Sequence, residues 1–138
     1  MTTPASRTIF VLGIKLTTLP PHLEATYGSL KQIGAKVTED LERCHRNGFP
    51  CTLRLIDPQD VDGSVSAFAS ELKASGNKYE AVIFGAGIRT HTDPIPFERA
   101  IATVRRTLRP NVPVLFNDGP DRHAAAIERH FGVKFEQD

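Results

Sequence analysis

Residues 80–93 read Glu-Ala-Val-Ile-Phe-Gly-Ala-Gly-Ile-Arg-Thr-His-Thr-Asp and join a short apolar run to a segment rich in polar groups. The run from Ala81 to Phe84 is too short for a helix, and its composition is typical of a strand that is buried on both faces. Gly85 and Gly87 then allow the backbone to turn sharply or to lie close to a ligand. The stretch therefore predicts a buried strand that leads directly into a binding loop.

The rest of the chain alternates strand and helix patterns. Apolar runs predict four strands, at Thr8–Ile14, Pro50–Ile56, Ala81–Phe84 and Val112–Phe116. Apolar residues three and four apart predict four helices, from Ser29 to Cys44, Val61 to Leu72, Pro94 to Leu108 and Ala124 to Phe131. The long segment Lys15–Thr26 reads as a functional loop or lid. Residues Val133–Phe135 would either add an edge strand or pack on the domain.

This alternation is typical of βαβ units, which place a parallel sheet between two helix layers. We predict a single α/β domain over residues 1–138, a flavodoxin-like three-layer sandwich with a central parallel sheet of four to five strands. The expected strand order is 2-1-3-4. In that order the loops after Ile14 and Phe84 face each other across one crevice, which is where ligands bind in such sheets. We expect polar side chains to gather there, namely Lys15, Arg89, His91 and Asn117.

Composition excludes several classes of partner. The formal net charge is +1 and the basic residues are scattered, which argues against nucleic-acid binding. No apolar stretch is long enough for a membrane span and no signal peptide is visible, so we expect a cytoplasmic protein without a membrane partner. Cys44 and Cys51 lack metal-ligand spacing and read as two buried thiols. Apolar residues in the presumed loops at 19–23 and 94–97 predict a homo-oligomer.

Arg89 is the main candidate for binding a ligand. A guanidinium pairs well with a carboxylate or phosphate, and a helix start nearby adds free backbone N–H groups. The alternative is that Arg89 covers the end of the sheet or pairs with Asp93 or Asp118. Asn117, directly after the fourth strand, could orient a polar group of the ligand or serve only its own Asn-Asp-Gly turn.

His91 is the main candidate for chemistry, because histidine changes charge near neutral pH and therefore suits general acid or base catalysis. The alternative is a solvated or capping side chain. No cofactor is expected. The dinucleotide fingerprint needs a third glycine where Thr90 stands, the loop after the first strand has no glycine for a flavin phosphate, and the remaining histidines show no metal-ligand spacing.

Three short segments resemble the layout of type II dehydroquinases: Gly87-Ile-Arg-Thr-His-Thr92 after a strand, Tyr27-Gly-Ser29 after a long loop, and Asn117 after the fourth strand. Those enzymes are flavodoxin-like lyases of similar length. The resemblance implies His91 as general acid and Tyr27, on a lid, as the residue that becomes the base. The family's Gly-Pro-Asn signature is replaced here by Gly13-Ile14-Lys15, and we therefore carry over a small-molecule site but not that family's substrate.

Two interpretations of the function stay open. The first is a cofactor-independent enzyme of lyase, hydratase or isomerase type, acting on a small anionic or carbonyl substrate in the crevice. The second is a non-catalytic α/β module or subunit that binds a small anion or nucleotide. His91 and Tyr27 are the catalytic candidates of the first interpretation. The candidates for binding the substrate are Arg89, Asn117, Lys15 and Gly87.

Overall fold

The apolar run at 81–84 lies in strand β3 (Tyr79–Phe84), as the sequence predicted. The computed structural model describes residues 7–17, 19, 21–76, 78–91 and 93–136. Within these residues a four-stranded parallel sheet forms from β1 (Thr8–Ile14), β2 (Cys51–Ile56), β3 and β4 (Val114–Phe116). Its order is β2-β1-β3-β4. The predicted strand order is therefore confirmed, with β1 and β3 as the interior strands.

Helices cover both faces of the sheet. In the described part of the chain they are α1 (Pro21–Tyr27), α2 (Leu30–Arg46), α3 (Val61–Ala74), α4 (Ala86–Thr90), α5 (Ile95–Thr107) and α6 (His123–Phe131). Side chains of α2 and α6 share one buried cluster with one face of the sheet, and side chains of α3, α4 and α5 share a second cluster with the other face. This is the predicted flavodoxin-like three-layer sandwich.

Strand β1 shows how the two clusters are built. Phe10 and Leu12 belong to the cluster on the α3 and α5 side, whereas Ile9 and Val11 belong to the cluster on the α2 and α6 side. All four side chains are at most 1% exposed. Burying a side chain of this kind contributes about 1.5–3 kcal/mol. The strand is therefore stable only when helices cover both of its faces.

Two short helices occupy segments that we predicted as loops. Helix α1 begins inside the segment Lys15–Thr26 and ends one residue beyond it. It has no buried residue, and it therefore carries no core-facing stripe that periodicity could detect. Helix α4 begins directly after Gly85 and spans five residues. Neither Gly85 nor Gly87 has a positive φ angle. Neither glycine therefore makes a turn that needs a positive φ angle, and the other role considered for them, a close approach to a ligand, stays a prediction.

Helix ends follow the local sequence more closely. Ser29 starts α2 with a capping box, in which its hydroxyl accepts from the backbone N–H of Gln32 and the Gln32 side chain accepts from the Ser29 backbone N–H. Asn47-Gly48 is a sequence typical of a helix end, and the structure agrees: Asn47 is the C-cap of α2 and Gly48 has a φ angle of 87°. Asn77 and Thr92, residue types that also favour helix boundaries, lie outside the described residues.

The C-terminal segment packs on the domain and does not add a strand. Residues 133–136 have no regular secondary structure. Phe135 is buried, with its ring centre 5.5 Å from that of Phe49. Of the two alternatives considered for Val133–Phe135, the structure shows packing. Among the helices that the structure describes, none is both long and apolar enough to cross a membrane.

Interior strand β3 offers a direct test of this architecture. Ile83 is fully buried, whereas Ile95 at the start of α5 is 44% exposed. We expect Ile83→Ala to lower the free energy of unfolding by about 2–5 kcal/mol, because it removes apolar contacts and leaves a cavity. Ile95→Ala should cost less than about 1 kcal/mol. Urea unfolding followed by circular dichroism measures both values, and equal losses would contradict the assignment of β3 as an interior strand.

Candidate functional site

A cavity of about 420 Å³ lies at the carboxyl ends of β1 and β3, where the strand order placed the crevice. Its walls come from β1 and the segment after it, from β2, α1, α2 and α4, from the loop between β4 and α6, and from the first residue of α6. Most of the lining is apolar and includes Val11, Leu23, Ile33, Val37, Leu53 and Leu55. The polar side chains in the lining are Tyr27, Arg89, Thr90, Asn117, Asp118 and His123.

The two ends of helix α2 differ in how they meet the sheet. Cys44, near the C-terminal end, is fully buried. Ile33 and Val37, in the N-terminal half, belong to the same apolar stripe but are only half-buried and line the cavity. On β2, the neighbouring Leu55 is 50% exposed. The cavity is therefore bordered by apolar surface that no described part of the protein covers.

Arg89 lies on α4 at the polar end of this cavity. Its Nη2 donates to the backbone oxygen of Asn117, and its guanidinium carbon lies 5.3 Å from the centre of the Phe116 ring. Its buried Nε has no hydrogen-bond partner among the described residues. Within the same residues Arg89 forms no ion pair. Asp118, one of the partners considered for it, pairs instead with Arg122 at 3.1 Å. Arg89 thus covers the sheet end, as one alternative proposed, and its cation is not neutralised by any carboxylate of the residues that the structure describes.

Asn117 is buried directly after β4 and forms hydrogen bonds to two residues of α4. Its side-chain oxygen accepts from the backbone N–H of Ala86 at 2.8 Å, and its backbone oxygen accepts from Arg89. The residue is 3% exposed and also lines the cavity. Asn117 therefore fixes the position of Arg89 relative to the sheet, a role that neither of the alternatives considered from the sequence described.

Tyr27 and Gly87 also reach the cavity. Tyr27 ends α1, and one of its ring carbons would lie 3.7 Å from a Cβ atom placed on Gly119. The ring therefore stands between α1 and the loop after β4. A Cβ atom on Gly87 would lie 3.3 Å from Ile14, which leaves little room for a side chain at that wall.

His91 and Lys15 lie outside the cavity, contrary to the predicted gathering of polar groups. Helix α4 carries the chain away from β3, and His91 is its C-cap. The His91 Nδ1 accepts from the backbone N–H of Asp93 at 3.2 Å. The Lys15 Nζ lies 4.0 Å from a carboxylate oxygen of Asp57, beyond the end of β2. The prediction that His91 and Arg89 face one cavity was therefore wrong, and His91 matches the alternative of a local capping side chain.

A histidine that was not among the candidates from the sequence takes part in the lining instead. His123, the first residue of α6, has a side chain that is 4% exposed, and it forms a buried pair with Asp40 of α2. One oxygen of Asp40 accepts from the backbone N–H of His123 at 2.7 Å and from that of Ala124 at 3.3 Å. The same oxygen lies 3.0 Å from the His123 Nδ1. Asp40 and His123 are 83 positions apart in the sequence, which left no spacing that could have revealed the pair.

The ionisation of Asp40 decides the tautomer of His123. Burial alone raises the pKa of Asp40, but hydrogen bonds from the His123 side chain and backbone outweigh that effect and hold the pKa below its usual range. A carboxylate has only acceptors, and the Nδ1 of His123 must therefore carry a proton. The lone pair of a neutral ring is then on Nε2.

The two cysteines lie near each other at the C-terminal end of α2 and the start of β2. Cys44 is buried as predicted, whereas Cys51 is only half-buried. A hydrogen bond with Cys51, together with burial, raises the pKa of Cys44. Cys44 is therefore a protonated thiol at neutral pH, and it has the packing role expected of an inert core residue.

Comparisons with known proteins give a fold but no family. No protein-family model and no curated protein matches the chain. Among solved structures, it is similar to a "Putative metallopeptidase" from Mesorhizobium sp. BNC1, with a TM-score of 0.50 and 13% identity over 82% of this chain. The match covers 27% of that longer chain.

In the described residues of the present chain, no group of three or more His, Cys, Asp or Glu side chains could hold a metal ion. The resemblance to type II dehydroquinases stays a prediction.

Removing the charge of Asp40 should reveal how much the buried pair stabilises the fold. Asp40→Asn should lower the free energy of unfolding at pH 7 by about 1–3 kcal/mol, because the three buried donors that bind one Asp40 oxygen lose a charged acceptor and keep at most a weaker amide oxygen. Because the pKa of Asp40 is lower in the folded state than in the unfolded state, its contribution is present above the unfolded value near 4 and is lost as the pH falls through the folded value. The variant should therefore lose less stability than the wild type on acidification from pH 6 to pH 3.

The matched control is Glu39→Gln, which removes the same charge from the exposed neighbouring position on α2. Its free energy of unfolding at pH 7 should stay within about 0.5 kcal/mol of the wild type. Chemical denaturation at a series of pH values measures all three proteins. If the free energy of unfolding fell by the same amount between pH 6 and pH 3 in the wild type and in Asp40→Asn, the fold would not hold the carboxylate of Asp40 in its ionised form.

Proposed function

We propose that the protein binds a small molecule with an apolar body and one carboxylate group in the crevice at the ends of β1 and β3. The observation that carries this proposal is the guanidinium of Arg89, which has no carboxylate partner among the described residues and lines a cavity whose walls are mostly apolar. A ligand of this chemistry would give Arg89 the partner that it lacks. It would also cover the exposed apolar surface of α2 and β2.

The apolar wall accounts for the body of the ligand. A volume of about 420 Å³ is within the range of small-molecule sites. The wall is formed by Ile33, Val37, Leu53 and Leu55, which remain partly in contact with solvent. Each methylene group that moves from water onto such a surface contributes about 0.8 kcal/mol. Binding should therefore favour an aliphatic chain or an aromatic ring over a small, fully polar metabolite.

The polar end accounts for the charged group. Arg89 is held in place by the backbone oxygen of Asn117 and by the Phe116 ring. A guanidinium that is fixed before the ligand arrives loses little conformational freedom on binding. Its planar fork matches the geometry of a carboxylate better than an ammonium would. Tyr27, at the mouth of the same cavity, is placed to contact the ligand.

The broader interpretation, a cofactor-independent lyase, hydratase or isomerase, remains a hypothesis about a reaction of the bound ligand. It is supported by the position of Tyr27 and Arg89 in one crevice. His91 no longer supports it, because the ring nitrogen of His91 is engaged by the backbone of Asp93. Binding of a carboxylate is therefore the function that the geometry supports best. The cytoplasmic location also stays a prediction.

Chain length and charge of the ligand test the proposal separately. We expect affinity to rise from butanoate to hexanoate to octanoate by about fourfold per methylene group, because each group buries more apolar surface. Hexanol, which matches hexanoate in its apolar part, should bind at least about tenfold more weakly because it offers Arg89 no charge. Isothermal titration calorimetry measures these affinities. Equal binding of hexanol and hexanoate would remove Arg89 from the proposal, and an absence of binding by the whole series would contradict the function.

Two substitutions test the two ends of the cavity. Arg89→Gln should weaken octanoate binding by about tenfold or more, since it removes the charged hydrogen-bond donor. Gly13→Val should weaken binding by filling the apolar end, because a Cβ atom at Gly13 points to the same face as Val11 and meets Leu55 at 3.0 Å. Leu55 is half exposed and has room to move, and the fold should therefore persist.

The matched control is Gly34→Ala on α2, where an added Cβ atom meets nothing within 4 Å. This variant should bind octanoate as the wild type does. Thermal unfolding confirms that each variant is folded before titration. Wild-type affinity in Gly13→Val would place the ligand outside the cavity.

We also propose that the protein forms a homo-oligomer. The apolar loop segments now support it less strongly, because Pro96 is buried and Leu19 and Leu23 line the cavity. Support comes instead from large apolar side chains that remain exposed on β2, α5 and β4, namely Leu55 at 50%, Ile95 at 44% and Phe116 at 40%. Multi-angle light scattering at micromolar concentration should give a mass that is at least twice the 15.2 kDa of one chain. A mass of one chain would contradict the proposal.

A further inference from the structure

We infer that Asp40 and His123 form a catalytic pair in the crevice, with His123 as the general base that activates a water molecule for hydrolysis of an ester with an apolar acyl chain. This inference rests on the proposed function, because the acyl chain would occupy the same apolar cavity as the carboxylate ligand. The carboxylate that Arg89 would bind is then the product of the reaction.

The geometry of the pair holds the imidazole ring in one orientation. The Asp40 oxygen that receives the His123 Nδ1–H also accepts two backbone N–H groups of α6. The carboxylate is thus fixed at three points and in turn fixes the plane and tautomer of the imidazole ring. A histidine held in this way presents a lone pair on Nε2, which is the requirement for a general base.

The other ring nitrogen, Nε2, is the one available to a water molecule. Among the described residues no hydrogen-bond partner contacts Nε2, although the His123 side chain is only 4% exposed. Nε2 is not one of the fully enclosed atoms that lack a partner. His123 lines the cavity, and the cavity is therefore the space from which a water or ligand reaches this nitrogen. A histidine with only a structural role would be expected to use both ring nitrogens, since a buried polar atom without a partner is costly.

The proposed step conserves atoms and charge. The water oxygen forms a bond to the carbonyl carbon of the ester while Nε2 accepts one water proton, and Asp40 stays ionised and stabilises the imidazolium. The tetrahedral intermediate then breaks its bond to the alcohol oxygen, which takes the proton from Nε2. The products are the carboxylic acid, which ionises in water, and the alcohol. No oxidant, reductant or metal is required.

The test uses 4-nitrophenyl hexanoate as the probe, because its good leaving group lets base catalysis be followed by absorbance. We expect the wild type to hydrolyse it with saturation kinetics, and His123→Gln to lower kcat by about a hundredfold or more. Asp40→Asn should also lower kcat, since the amide no longer enforces the tautomer or stabilises the imidazolium. The reaction should be slower in D₂O, which distinguishes proton transfer from direct attack by the ring nitrogen.

The matched control is His45→Gln, because exposed histidines hydrolyse nitrophenyl esters without any specific site and His45 is exposed on α2. Its kcat should equal that of the wild type. Equal rates in wild type and His123→Gln would overturn the inference. If octanoate binds to both proteins in calorimetry while these rates are equal, only the catalytic pair is refuted; if octanoate binds to neither, the proposed function fails as well.

A labelling experiment on the wild-type protein tests the same inference without depending on whether the variants fold. The bromomethyl ketone 1-bromo-2-octanone alkylates an accessible imidazole, because the nitrogen lone pair attacks the CH₂ carbon and bromide leaves. Peptide mass spectrometry should find the label on His123, and octanoate should suppress it. Labelling confined to the exposed histidines His22, His45 and His130 would show that Nε2 of His123 does not face the cavity.

Discussion

The site depends on one constraint, which is that strand β1 pairs in parallel with both β2 and β3. Because right-handed connections take the chain to opposite faces of the sheet after β1 and after β3, the segments that follow these two strands separate at their carboxyl ends. The space between them cannot be filled by either connection. The cavity at these ends is therefore a consequence of topology, and the side chains around it determine what it binds.

Those side chains divide the cavity into an apolar wall and a polar edge. The wall exists because Ile33 and Val37, in the N-terminal half of α2, line the cavity and are only half-buried, while the C-terminal half is packed into the core through Cys44. Asp40 lies between the two halves and receives hydrogen bonds from the first residues of α6. The same contact that fastens α2 to α6 thus places His123 beside the apolar wall. Arg89 and Asn117 complete the polar edge from the other side of the crevice.

Patterns local in sequence predicted the framework well. The runs at Thr8–Ile14 and Ala81–Phe84 have to be interior strands, because apolar side chains on both faces can be buried only there. The position of the crevice followed from the strand order. Helix α1 was not predicted because it buries no side chain. The position of His91 was predicted wrongly because the one-turn helix α4 lies between β3 and this residue. The pair of Asp40 and His123 depends on a contact between distant parts of the chain, which no spacing in the sequence records.

A crystal structure of the protein grown with octanoate tests the central claim most directly, because it locates the ligand without reference to affinity or rate. We expect a carboxylate within hydrogen-bond distance of Arg89 and an alkyl chain between the sheet and the half-buried residues Ile33 and Val37. Electron density for octanoate at another surface, with the crevice filled only by water, would contradict the account.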